Sequence, residues 1–301
     1  MSSMAPGDIV RLVVLGAIWG GSFIFMRVLA PVIGPWATAD ARILVGGALL
    51  VLYAAIVGRR AQLARHWRSY LVIGVFNSGI PFTLLGFAAL HLPGSYLGIL
   101  NSAAPLFAAM LGVTWLGEAL TPAKLAGLVL GCAGVALVSK TGPAQADALF
   151  GWAVAASLIA AFCYAAAGAY LRKRAAGAPA TAMAGWSQLC AGALLLPATL
   201  MGTPASAITS LHDPVILGSA MALAIVCSAL AYLLYFRLMR NIGPTRTLTV
   251  AFLIPLFAML WGRMFLGEAI TASMLVGCGL IIAGTLSVLR PAPSALAQVA
   301  S

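Results

Sequence analysis

Acidic residues are scarce in this sequence, which contains 6 Asp and Glu against 17 Lys and Arg. Charged residues make up only 8% of the chain and hydrophobic residues 62%, whereas about a quarter of the residues of a soluble domain are charged. So little polar surface excludes a soluble globule and predicts an integral membrane protein. The excess of positive charge therefore relates first to membrane topology, and we do not expect nucleic acid as a partner.

Metal and disulfide patterns are also absent from the sequence. The five cysteines lie inside apolar stretches without a C-x-x-C pair, so they predict neither a metal site nor a disulfide framework. The N-terminal segment lacks a basic region and a small-residue cleavage site, and we expect the first apolar stretch to remain as a membrane helix. We predict no cofactor and no enzymatic activity, because no serine within the apolar stretches has a His or Lys partner there.

One apolar segment occurs twice in the chain. Residues 105–138 read PLFAAMLGVTWLGEALTPAKLAGLVLGCAGVALV and residues 255–288 read PLFAMLWGRMFLGEAITASMLVGCGLIIAGTLSV, with 16 of 34 positions identical. This similarity predicts a duplicated protein, with a first repeat over residues 1–143 and a second over residues 144–301. Internal repeats in an apolar chain are typical of secondary transporters, in which the substrate site lies between the repeats.

Ten stretches of the sequence are long and apolar enough to cross a hydrocarbon core of about 30 Å. These spans place thirteen Lys and Arg residues on one side of the membrane and four on the other. The positive-inside rule assigns the richer side, which holds both termini, to the cytoplasm. Each repeat has an odd number of spans, so the second repeat is expected to be inverted. Spans 1 to 10 are predicted near residues 9–30, 36–57, 69–90, 94–115, 121–139, 149–171, 180–200, 213–236, 244–265 and 270–289.

The paired P-L-F-A and L-G-E-A-[LI]-T motifs, each followed by a glycine-rich helix, and the opening Trp19-Gly20-Gly21-Ser22-Phe23 carry a family resemblance. Residues 9–290 resemble the EamA branch of the drug/metabolite transporter superfamily, and within it the YddG-type amino-acid exporters. The resemblance implies two five-helix halves around a central cavity that spans 1, 3, 4, 6, 8 and 9 line. Threonine/homoserine and cysteine-metabolite exporters share these motifs, so the substrate stays open.

Polar and aromatic residues near the middle of the spans are candidate substrate ligands, because polar groups are costly in lipid and should face a cavity. An offset of 150 residues superposes Ser78 on Ser228 and Phe82 on Tyr232. The alternative is that Asn and Ser bond between helices, for about 0.6 kcal/mol each, and that the aromatic rings fill space. Tyr96 also fits an aromatic belt at the membrane surface. The predicted substrate-binding residues are Trp19, Phe23, Asn77, Ser78, Phe82, Tyr96, Asn101, Tyr164, Ser228 and Tyr232.

Two further duplicated pairs predict mechanical roles. Pro105 and Pro255 each remove a backbone hydrogen bond, so they are candidate hinges, although static kinks would use the same residue. Glu118 and Glu268 fall at helix ends, where we expect each carboxylate to accept hydrogen bonds from the N–H groups that begin the next helix.

The middle of the spans contains no Asp, Glu, His or Lys, and Asp40 and Arg42 are expected to pair at the outer start of span 2. An uncharged site suits a neutral or zwitterionic solute. We predict an exporter of small metabolites, most of all amino acids including aromatic ones, that works by alternating access. Its partners are a small-molecule substrate and the lipid of the cell inner (plasma) membrane, and it is a monomer or weak dimer. The alternatives are an exporter of drug-like cations or of another metabolite, or an intramembrane enzyme.

Overall fold

The computed structural model describes residues 4–58, 62–141, 148–174 and 180–289, which form helices and contain no β-strand. The predicted boundary between the repeats, at residues 143 and 144, lies outside these residues. The elements are α1 Pro6–Ile56, α2 Leu63–Gly74, π1 Val75–Gly79, α3 Ile80–His91, α4 Gly94–Asn101, α5 Ala104–Thr114, α6 Pro122–Thr141, α7 Phe150–Arg174, α8 Ala180–Gly202, α9 Ala207–Ser210, α10 Pro214–Met221, π2 Ala222–Leu230, α11 Ala231–Thr247, α12 Val250–Leu266 and α13 Ala272–Val288.

Within the described residues, 7 helical stretches are long and apolar enough to cross a membrane, and α12 and α13 are shorter apolar helices. Helix α1 has 51 residues and would measure about 76 Å if straight, more than twice the hydrocarbon thickness. Gly34 interrupts it with φ 83° and ψ 160°, a conformation that glycine tolerates because it has no Cβ. Helix α1 therefore consists of two helical parts that meet at Gly34. The chain is an all-helical, multi-pass membrane protein.

Helices of each copy pack against helices of the other. Helix α1 of the first copy packs against π2 and α12 of the second, and α7 of the second copy packs against α3, α4 and α5 of the first. The largest apolar cluster accordingly contains Leu97 and Leu100 of the first copy together with Met259 and Cys278 of the second. The two copies thus share one core.

Helices α6 and α13, which contain the duplicated glycines, pack against each other. A Cβ atom on Gly127 would lie 2.5 Å from the carbonyl oxygen of Gly284, and one on Gly134 would lie 2.6 Å from that of Gly277. Only glycine permits such close approach of two helix backbones. In the duplication Gly127 corresponds to Gly277 and Gly134 to Gly284. Equivalent residues therefore exchange partners, as across a two-fold axis, and the two helices run antiparallel.

The duplicated prolines lie in different backbone surroundings. Helix α4 ends at Asn101, and α5 begins at Ala104 with Pro105 in its first turn. Helix α12, in contrast, runs from Val250 to Leu266 with Pro255 inside it. The chain is thus interrupted just before the first proline, whereas it continues as a helix through the second.

Candidate functional site

Tyr232 lies at the meeting point of three segments from both copies. The side-chain amide of Asn77, in π1, donates a hydrogen bond of 3.2 Å to the Tyr232 hydroxyl. The indole ring of Trp19, in α1, meets the Tyr232 ring edge-on, with centroids 6.3 Å apart. Tyr235 extends this aromatic group, because its ring centroid is 5.5 Å from that of Trp19.

Arg42 lies beside this group, in the second part of α1. Its Nε donates to the hydroxyl of Ser228 at 3.1 Å, and its guanidinium carbon lies 3.9 Å from the centroid of the Phe82 ring. The Phe82 ring is in turn 6.4 Å from the ring of Tyr164, in α7. Arg42 therefore joins side chains of α1, α3 and π2.

These contacts form one assembly, because Ser228 in π2 lies about one turn before Tyr232 in α11, which follows π2 without a break. We call Trp19, Arg42, Asn77, Phe82, Tyr164, Ser228 and Tyr232 the central cluster. Trp19, Asn77, Tyr164 and Tyr232 are half-buried, so they border accessible space, whereas Arg42, Phe82 and Ser228 are buried. Six of the ten residues that the sequence predicts as ligands thus lie together, drawn from both copies.

The duplicated serines share an unusual backbone. Ser78 lies in π1 and Ser228 in π2, and the Ser228 hydroxyl donates to the carbonyl of Leu223, five residues earlier, at 3.2 Å. Such π-helical turns are rare and occur frequently at functional sites. Ser78 is fully buried, and its hydroxyl has no hydrogen-bond partner among the described residues.

Three other predicted ligands, Phe23, Tyr96 and Asn101, belong to α1 and α4. Phe23 and Tyr96 pack in the apolar core, where the Tyr96 ring is 6.4 Å from that of Phe150. Asn101 ends α4, and its buried side-chain oxygen has no partner among the described residues.

Arg42 is the member of the central cluster that the sequence analysis did not include. The expected ion pair with Asp40 does not form: Arg42 bonds to Ser228 instead, and the Asp40 carboxylate lies against Gly192 of α8. The position of Arg42 in the sequence could have indicated that it lies inside the protein. It lies seven residues beyond Pro35, which is about 10 Å along a helix and too deep for the membrane surface.

Glu268 connects the second copy to the first at the N-terminus of α4. Its Oε1 accepts from the backbone N–H of Gly94 at 2.6 Å, and its Oε2 accepts from the N–H and the hydroxyl of Ser95 at 2.9 and 2.6 Å. The expectation that Glu268 caps the following helix is wrong, because the Thr271 hydroxyl accepts from Met274 there at 3.3 Å. A carboxylate at a helix N-terminus is favoured by the helix dipole.

A cavity of about 410 Å³ lies beside this contact. The guanidinium of Arg27, which borders it, donates to the carbonyl oxygens of Ala89 and Leu90 at 2.6 and 3.0 Å. The cavity is lined by Arg27, Pro31, Pro93, Leu266 and Glu268.

Glu118, the equivalent of Glu268, has different partners. Its carboxylate accepts from Lys124 and Arg172, each at 2.9 Å. Hydrogen bonds from Lys124 and then Arg172 hold the pKa of Glu118 below its ordinary value, although partial burial opposes them. The expectation that Glu118 caps the following helix is also wrong. The hydroxyl of Thr121 caps that helix instead, because it accepts from the backbone N–H of Lys124 at 3.2 Å. Of the duplicated glutamates, Glu268 therefore contacts a helix end, whereas Glu118 forms ion pairs.

Comparison with known proteins decides the family. The profile of the EamA-like transporter family matches residues 8–140 and, a second time, residues 151–290. The chain belongs to the EamA-like transporter family. Its members are membrane transporters, so the family indicates a membrane-embedded protein that handles small molecules.

Two relatives carry informative names. A probable terminal-alkyne amino-acid exporter of Streptantibioticus cattleyicolor is 25% identical over 93% of this chain and 92% of its own. An S-adenosylmethionine/S-adenosylhomocysteine transporter of Chlamydia trachomatis is 28% identical over 89% of this chain and 84% of its own. A crystal structure with 18% identity and a TM-score of 0.63 covers 99% of this EamA-family chain and 100% of its own. At that identity it supports the fold alone.

Proposed function

We propose that this EamA-family protein is a secondary transporter that exports small neutral or zwitterionic metabolites, most of all amino acids including aromatic ones. The observation that carries this proposal is the central cluster, in which polar and aromatic side chains from both copies meet. The two named relatives support it, because an amino acid and S-adenosylmethionine both carry an amino-acid group.

We further propose ten membrane helices arranged as two inverted repeats, 1–143 and 144–301, in the cell inner membrane. The antiparallel contact of α6 with α13 supports this arrangement, since equivalent helices of an inverted repeat cross the membrane in opposite directions. The interruption of α1 at Gly34 divides it into two helices, which correspond to the first two of the ten proposed membrane helices. The excess of Lys and Arg on one side supports cytoplasmic termini.

Alternating access is supported by the unequal contacts of the duplicated glutamates. Glu268 holds the N-terminus of α4 through Ser95, whose equivalent in the second copy is Thr245. Glu118 instead bonds to Lys124 and Arg172. We propose that the contact at Glu268 closes the outer side, and that in the opposite state Glu118 holds the helix beginning near Thr245. The two sides would then open in turn, with Pro105 and Pro255 as hinges.

Counterflow in proteoliposomes tests the transport proposal. We expect purified protein to exchange labelled amino acids, and to exchange quaternary amines and nucleotides little or not at all. Trp19→Ala should lower exchange of bulky amino acids, whereas Trp152→Ala, which alters a ring that is 70% exposed, should not. Absence of amino-acid counterflow above protein-free liposomes would contradict the proposal.

A further inference from the structure

The charge of Arg42 is not neutralised by any described residue. The side chain is 5% exposed and forms no ion pair there. Besides Ser228, the described residues that its nitrogen atoms reach are Met26, through the sulfur at 3.9 Å, and Cys227, through the carbonyl oxygen at 3.5 Å. A guanidinium group has five N–H donors, and these three contacts leave two of them without a hydrogen-bond partner among the described residues.

Asp40 cannot serve as the counter-ion from its position in α1. Side chains two residues apart on a helix do not face each other, and Asp40 lies against Gly192 of α8. A buried cation without an anion is costly in a protein interior. The arrangement is therefore incomplete until an anionic group reaches Arg42.

We infer that Arg42 binds the carboxylate of the transported solute, which makes the substrates of this transporter small carboxylate-bearing molecules. The planar guanidinium can bond both oxygens of a carboxylate at once. The face of the Phe82 ring, 3.9 Å from the guanidinium carbon, holds this plane in position. The inference rests on the proposed transport function and revises the expectation of an uncharged site.

The rest of the central cluster suits the remainder of such a solute. The Tyr232 hydroxyl and the Asn77 amide are polar groups in the adjoining half-buried region. Trp19 and Tyr164 supply aromatic surface for an apolar side chain. A drug-like cation fits this site poorly, because the guanidinium repels it.

Matched pairs of solutes that differ only in carboxylate against carboxamide test the inference. We would measure counterflow of phenylalanine and its amide, and of phenylacetate and its amide, with the wild-type protein in proteoliposomes. Binding of the same solutes to detergent-purified protein would be measured by thermal stabilisation. We expect the carboxylates to be preferred by about ten-fold to a hundred-fold, as for hydrogen bonds to charged groups.

Three variants separate an anion-binding role from a structural one. Arg42→Gln should remove the carboxylate preference, Arg42→Lys should keep part of it, and Ser228→Ala should keep it because the cation remains. Arg240→Gln, which removes an exposed charge, is the matched control and should behave as the wild type.

The outcomes distinguish this inference from the transport proposal. Counterflow with equal preference for acid and amide overturns the role of Arg42 and leaves transport intact. Binding of carboxylates without any counterflow overturns the transport proposal and supports the carboxylate-binding role of Arg42. If Arg42→Gln does not fold, a carboxylate preference that is reduced but not abolished in Arg42→Lys, with monodisperse protein, supports the inference. Two results would assign Arg42 to packing. One is an unchanged carboxylate preference in Arg42→Lys. The other is that Ser228→Ala and Arg42→Gln lower counterflow equally, for acids and amides alike.

Discussion

Glu268 accepts hydrogen bonds from both the backbone N–H and the hydroxyl of Ser95, at 2.9 and 2.6 Å. The two residues belong to different copies of the duplicated sequence. Because Ser95 lies in the first turn of α4 and Glu268 follows α12, this contact joins the ends of two helices. The equivalent residue Glu118 makes no such contact in the described residues, since it bonds to Lys124 and Arg172.

Substitution Glu268→Gln should open the outer side. The neutral side chain loses the charge-assisted hydrogen bonds to α4, which are worth about 1.5 to 3 kcal/mol each when made to a charged group. In a cysteine-free background, Leu266→Cys should react faster with an impermeant maleimide added outside when Glu268→Gln is present. Glu118→Gln is the matched control and should not accelerate this reaction. Equal rates with and without Glu268→Gln would contradict the closing role.

Substitution Gly127→Ala should destabilise the contact between α6 and α13. The new methyl group would meet the carbonyl oxygen of Gly284 at 2.5 Å, and such overpacking costs about 1 to 3 kcal/mol. We expect a lower melting temperature of the detergent-purified protein. Gly279→Ala, in the same pair of helices, meets nothing within 4 Å and should be neutral or slightly stabilising. Similar melting temperatures for the two variants would argue against close packing at Gly127.

Substitution Pro105→Ala should slow transport more than it weakens binding. It restores a backbone N–H at the start of α5, so the helix can continue through the interruption after Asn101. Pro255→Ala should have a smaller effect, because α12 is already continuous there. Transport rates and binding affinities would be compared with those of Pro197→Ala, which alters a proline inside α8. An intact rate in the double variant Pro105→Ala, Pro255→Ala would refute the hinge role.

Removal of the aromatic rings should change the ranking of substrates. Tyr164→Ala or Tyr232→Ala withdraws apolar contact worth about 1 to 3 kcal/mol from bulky amino acids and little from small ones. Competition between phenylalanine and alanine in counterflow measures this difference. Tyr53→Ala, at a ring that is 41% exposed, is the control and should leave the ranking unchanged. A uniform loss for all substrates, matched by lower protein yield, would indicate packing.

The proposed topology predicts opposite labelling of two exposed sites. Ala64→Cys, near the start of α2, should be protected in intact cells from an impermeant maleimide, and Ser206→Cys, between α8 and α10, should react. Both positions are exposed in the structure. Permeabilised cells provide the control, because both cysteines should then react. Labelling of both from one side would exclude the inverted repeat.

Several features of the fold follow from the sequence alone. The duplication is visible in residues 105–138 and 255–288, and the helical membrane class follows from long apolar runs. These inferences succeed because lipid demands an apolar surface and satisfied backbone groups from each span separately. This requirement applies to each span separately, so the sequence of each span shows it.

The partners of the charged residues were decided only by the tertiary structure. Glu268 bonds to Gly94, 174 residues away, rather than to the adjacent helix, and Arg42 bonds to Ser228, 186 residues away, rather than to Asp40. A long side chain buried between helices bonds to whichever donor or acceptor packing brings within about 3 Å, and helix rotation determines which one that is. Sequence spacing shows the face on which a residue lies, whereas the docking of the two copies determines what that face meets.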